Sequence, residues 1–140
     1  MPIYVIRKAN TMELDFLDCL QKYLNSQDLN YKFKQGDLEE GIIIIYNTSG
    51  EQKVREYYNG VFDKRKKYEF ALKSKNSWGN YNILTKLASR IEQIQDIPSI
   101  NGSYDFHEIR VFDIPTPIIL DGEYYIYTLK FEVLLTTYEK

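Results

Sequence analysis

The side chains that could do chemistry in this chain are few: one histidine, one cysteine, a small acidic group and a run of cations. His107 shares one side of the alternating stretch 106–114 with Ile109 and Val111, while Phe106, Glu108, Arg110 and Phe112 take the other. That placement predicts a partly buried, structural imidazole rather than a general base. No nucleophile motif surrounds it. Cys19 falls inside a helical apolar pattern and is predicted to be a buried, apolar-like thiol. A single cysteine permits neither an internal disulfide nor a cysteine-based metal site. Asp37, Glu39 and Glu40 lie in a polar connector, where they read as solvated carboxylates rather than ligands converging on a cation. No glycine-rich phosphate loop occurs. These residues carry no enzymatic signal, so no catalytic residue, metal or cofactor is expected.

The cations are more informative. Asp63 is followed by Lys64, Arg65, Lys66 and Lys67, close to the turn signal Asn59-Gly60. The run reads either as a solvated hairpin end or as a phosphate-contacting patch without sequence specificity. In the second case, four positive charges per subunit would line up toward one side, or toward the lumen of a ring. Lys53, Arg55, Lys73 and Lys75 would extend the patch if they fall at the same end. Charge is uneven along the chain: residues 1–50 carry −2, residues 51–80 carry +4 and residues 81–140 carry −4, for a net −2. The whole chain is therefore not a nucleic-acid binder by charge.

Elements must position these groups. With 140 residues, residues 1–140 read as one domain able to bury its own core. Asn10 followed by Glu13 predicts a helix from about Thr11 to Ser26, with Leu14, Leu17, Leu20 and Leu24 at helical spacing. Residues 27–40 read as a connector. Ile42 to Ile45 do not alternate, which predicts a central strand buried on both faces. Val54 to Tyr58 read as a second strand and Tyr68 to Lys73 as a third, around Asn59-Gly60. Asn80 is a candidate cap for a second helix, whose Leu84, Leu87, Ile91 and Ile94 form a core stripe. Residues 106–114 give a fourth strand, halted by Pro115-Thr116-Pro117. A long final strand from Glu123 to Thr137 then alternates almost throughout. The expected class is α+β: one mostly antiparallel or mixed sheet of about five strands with two helices packed on it, in the order α-β-β-β-α-β-β. Neither a leader peptide nor a run of about 18 apolar residues is visible, so no membrane role is expected.

Three stretches carry a family resemblance. VREYYNGVFDKRKKYEFALKSK gives a strand pair around an Asn-Gly turn. NYNILTKLASRIEQI gives the second helix. VFDIPTPIILDGEYYIYTLKFEVLL gives a proline-containing connector and then a long closing strand. From about Met12 to Thr137 the chain resembles the tail terminator proteins of long-tailed phages, a family that includes minor capsid and tail completion proteins of phages of Gram-positive bacteria. The resemblance implies a structural virion protein at the head-proximal end of the tail, made in the host cytoplasm. Such proteins form a ring, usually a hexamer, on the last ring of tail-tube protein. The ring stops tube elongation and meets the head connector or neck protein, and DNA later passes through its channel. No cofactor is implied.

Closed rings of identical subunits need heterologous contacts, hence apolar surface beyond the subunit's own core. The 13 tyrosines suit such surfaces. Candidate interface residues are Tyr57 and Tyr58 at the turn, Ile118, Ile119 and Leu120 in the connector, and Tyr124, Ile126 and Leu134 on the second face of the closing strand. Lys64, Arg65, Lys66 and Lys67 are the candidate channel-facing groups. Two other classes remain open: a different head–tail joining component, and a small single-stranded nucleic-acid-binding or adaptor module with aromatic and basic neighbours.

Overall fold

The computed structural model describes residues 13–48, 51–57, 59–119 and 123–138. In chain order the elements are α1 (Phe16–Asn25), β1 (Phe33–Lys34), β2 (Ile43–Asn47), β3 (Gln52–Glu56), β4 (Phe62–Ser74), α2 (Ser77–Ile91), β5 (Tyr104–Val111), β6 (Thr116–Ile119) and β7 (Tyr125–Thr137). The class is α+β, and the order matches expectation with two short strands, β1 and β6, added.

The spine is β4 against β7, 13 residues each, paired antiparallel without a slip from Phe62 opposite Thr137 to Ser74 opposite Tyr125. Each spine strand is flanked by two shorter strands end to end. On the outer side of β4, β2 pairs with Tyr68–Leu72 and β3 with Phe62–Arg65. On the outer side of β7, β6 pairs with Tyr125–Thr128 and β5 with Phe131–Thr137. β1 adds to β2 in parallel, so the sheet is mixed. The isoleucine strand is buried on both faces, as its lack of alternation predicts, but it lies beside the spine rather than at the centre.

Both helices cover one face. Phe16, Cys19, Leu20 and Leu24 of α1 and Leu84, Leu87 and Ile91 of α2 share a core with Phe70, Leu129, Phe131, Val133 and Leu135. Burying six such side chains fully stabilises the fold by roughly 10–15 kcal/mol before entropy is counted. Phe16 is the aromatic centre, within 5.5 Å of the Tyr68 and Tyr104 rings. α1 starts later than expected, at Phe16 rather than Thr11, because Asp15 and not Asn10 stands at its N-cap position; Asn10 lies outside the described residues. α2 likewise starts earlier than expected. Asn76, not Asn80, is its cap and accepts a hydrogen bond from Gly79 N at 2.9 Å. A Cβ at Gly79 would come within 2.8 Å of that same side chain, which explains a glycine inside the first turn.

Candidate assembly surface

The basic run belongs to a strand, not to a hairpin end, because β4 begins at Phe62. Side chains in a strand alternate between faces, so the four cations divide and do not line up on one side. Lys64 and Lys66 lie opposite Leu135 and Val133, on the helix-bearing face. Both reach Glu51, at 3.4 and 3.2 Å. Burial alone would raise the Glu51 carboxyl, but Lys66 and then Lys64 outweigh it and hold it below its ordinary value. Arg65 and Lys67 face the other side. Arg65 lies 3.9 Å from both Glu108 and Glu132, and Lys67 sits over the Phe112 ring. Lys53 lies opposite Lys64, over the Phe62 ring, whereas Lys73 and Lys75 sit at the far end of β4, over Tyr124. About ten residues of strand, roughly 33 Å, separate these two basic ends.

The outer face carries a polar lattice across the spine. Glu132 is buried and takes Arg110 at 2.6 Å. At the strand ends, Thr136 donates to Asp63 at 2.6 Å, Tyr57 donates to Asp63 at 3.0 Å, and His107 Nε2 meets the Thr136 hydroxyl at 2.6 Å. Because Thr136 gives its one hydrogen to Asp63, His107 Nε2 is the donor to Thr136. The Thr136 and then Tyr57 hydrogen bonds, with His107 and Arg55 nearby, keep the Asp63 carboxyl below its usual range. His107 departs from its expected side. A bulge between Phe106 and Glu108 inserts one residue, so Ile109 and Val111 keep the core face, Phe106 joins them against expectation, and His107 becomes exposed. Among the described residues no group of three His, Cys, Asp or Glu side chains could hold a metal ion. No described helix is long and apolar enough to cross a membrane.

The expected interface residues are distributed unevenly. Tyr57 is half exposed at the β3–β4 turn. Tyr124 is half buried, flanked by two lysines, and its hydroxyl is pushed up by a hydrogen bond to Glu40. Leu134 is half buried on the outer face, whereas Ile126 is already 8% exposed within the subunit and leaves little surface for a neighbour. Ile118 and Ile119 form the outer strand β6, in register with Ile126 and Tyr125. Tyr58 and Leu120 lie outside the described residues.

Among the described residues six large apolar side chains are exposed without having been legible as surface: Tyr31, Val54, Trp78, Ile100, Phe112 and Ile114. Val54 protrudes at the β3 bulge. Phe112 and Ile114 occupy the edge between β5 and β6, and Ile114 is 69% exposed. Trp78 is 72% exposed and stacks on Tyr81, which meets Tyr127 edge-on. Among the described residues, β3 pairs only with β4, and β5 and β6 only with β7. Val54 and Tyr57 therefore lie on one edge, and Phe112 and Ile114 on the opposite edge, about 14 Å apart across three strand spacings. No protein-family model matches the chain, and a search of curated proteins returns no match.

Proposed function

We propose that this chain is a structural phage assembly protein, a tail terminator. Copies form a closed ring, six by family resemblance, that caps the tail tube, stops its elongation and joins it to the head connector. The observation that carries this reading is the placement of different exposed apolar groups on opposite sheet edges. A head-to-tail ring needs two unlike, complementary patches on opposite sides of each subunit. Val54 with Tyr57 and Phe112 with Ile114 supply such a pair. Isolated exposed apolar residues are ordinary; it is their opposition that supports ring closure. DNA passing through the channel would meet Arg65 and Lys67 on the outer face, not all four cations of the run.

Ring closure is tested by native mass spectrometry and negative-stain imaging of the chain, alone and with tail-tube protein. The wild type is expected to give rings that bind tube ends and arrest elongation. Val54→Asp and Ile114→Asp, at exposed sites, are expected to keep the fold yet leave monomers or open chains. Rings that persist in both variants would remove these edges from the interface. A monomer that binds single-stranded DNA with strong salt dependence would instead favour a nucleic-acid-binding module.

A further inference from the structure

A cleft of about 580 Å³ opens between α2 and the segment that links α1 to β1. That size is typical of ligand sites, and the cleft lies at the β1 end of the sheet, away from the β3 and β5–β6 edges. Its floor of Phe33, Ile43 and Leu87 is already packed, at most 4% exposed, so the apolar surface it offers is that of half-buried Leu29 and Ile83 and exposed Tyr31. Its wall is held in place at both ends. Asn25, the last residue of α1, clamps Phe33 twice, accepting from its N–H at 2.9 Å and donating to its carbonyl at 3.0 Å. Between these anchors Asp28 and Asn30 adopt φ of 54° and 66°, the left-handed region that asparagine and aspartate tolerate best. The wall is thus fixed before anything binds, which lowers the entropy cost of binding.

The cations set the ligand's chemistry. Lys86 and Arg90 line the cleft one helical turn apart on α2. Neither side chain forms an ion pair or hydrogen bond with any described residue. This contrasts with Lys34, Lys64, Arg65, Lys66 and Arg110, which all meet carboxylates. Asp28 is the one carboxylate lining the cleft, against two cations. We propose that the cleft docks a partner protein's segment in which an apolar side chain is followed by carboxylates. The apolar group packs on Leu29, Tyr31 and Ile83, and the carboxylates lie between Lys86 and Arg90. This goes beyond ring closure and does not depend on it.

The test is an amide-resolved NMR titration of the whole chain with the peptide acetyl-Gly-Phe-Asp-Glu-Gly-amide. Saturable shifts are expected in α2 around Lys86–Arg90 and around Phe33. The same peptide with Asn-Gln for Asp-Glu is expected to bind roughly tenfold more weakly, and so is the acidic peptide to Lys86→Gln/Arg90→Gln. Both sites are exposed, so that variant keeps its fold, and Lys130→Gln on the opposite side of the sheet should bind as wild type. Shifts that are absent, scattered over the surface, or equal for the neutral peptide would overturn the proposal. Equal affinity for a peptide with Ser in place of Phe would overturn it too, since charge alone would then be attracting the peptide.

Discussion

At the scale of single residues, Asp15 organises more of the molecule than any of the groups that look chemical. Its carboxylate accepts from Ser99 and Ser103 hydroxyls at 2.7 and 3.1 Å and from the Ile100 and Asn101 amides at 3.0 Å each. It ties the start of α1 to a loop more than 80 positions away. Burial works to raise its pKa, but the Ser99 and Asn101 hydrogen bonds, with Cys19 and Ser103, outweigh it and hold it below the usual value. A carboxylate with a depressed folded pKa stabilises the fold fully above its unfolded pKa, near 3.9. That contribution is lost as pH falls through the folded value. Asp15→Asn is therefore expected to cost about 2 kcal/mol near neutral pH and progressively less below about pH 4, measured by urea unfolding across pH. A pH-independent difference would mean that charge plays no part. Asp15 was hidden in the sequence because it is one carboxylate inside a helix-start pattern whose most obvious cap is Asn10.

Elements were legible where a periodicity ran long enough to have one consistent solution. The closing strand, read from Glu123, runs from Tyr125 to Thr137, and Leu84, Leu87 and Ile91 form the core stripe of α2, whereas Ile94 lies half-buried beyond the end of that helix. β1 and β6 were not legible, because two and four residues are too short to show a period. β4 was read from Tyr68 because cations obscure alternation, although Lys64 and Lys66 keep the inward phase. The His107 bulge inverts the facing of Tyr104 to Phe106 relative to Ile109 and Val111, and pattern alone does not reveal such an insertion. Of the candidate surface, Tyr57 could be read from its turn, whereas the exposure of Trp78 depends on what α2 packs against. Asn80 shows how elements are joined. It is fully buried, donates to the Tyr125 carbonyl at 2.9 Å and accepts from Ser74 at 2.6 Å, linking α2 to the ends of both spine strands. Asn80→Ala should cost about 2–3 kcal/mol by orphaning those partners and opening a small void. Differential scanning calorimetry measures it, and a change under about 0.5 kcal/mol, the range of surface substitutions, would refute the role.

For the whole molecule, the spine orders everything else. β4 and β7 each have paired neighbours along most of both sides, whereas among the described residues β3 and β6 have a single partner strand each. Hydrogen exchange is expected to be slowest in the inner stretch of β4 and β7, where Tyr68, Phe70 and Leu72 pack beside the buried Leu129, Phe131 and Val133, and fastest among the strands in β3 and β6. Equal protection of β3 and β4 in the isolated chain would mean that some other element covers the β3 edge. Lys64 and Lys66, held by Glu51 against the helix-bearing face, contribute to this spine as part of its fold.

The direction of the spine has a mechanical consequence. Hydrogen bonds of an antiparallel pair run perpendicular to its strands. If neighbours attach at the β3 edge and at the β5–β6 edge, hoop stress around a ring crosses each subunit along those bonds. An unzipping load would break them one at a time. Because β3 pairs with Phe62–Arg65, tension entering there would load the end where Phe62 faces Thr137 first, and the rest of the 13 registered pairs in turn. The length of these strands then sets how far a ring could be strained outward before a subunit yields.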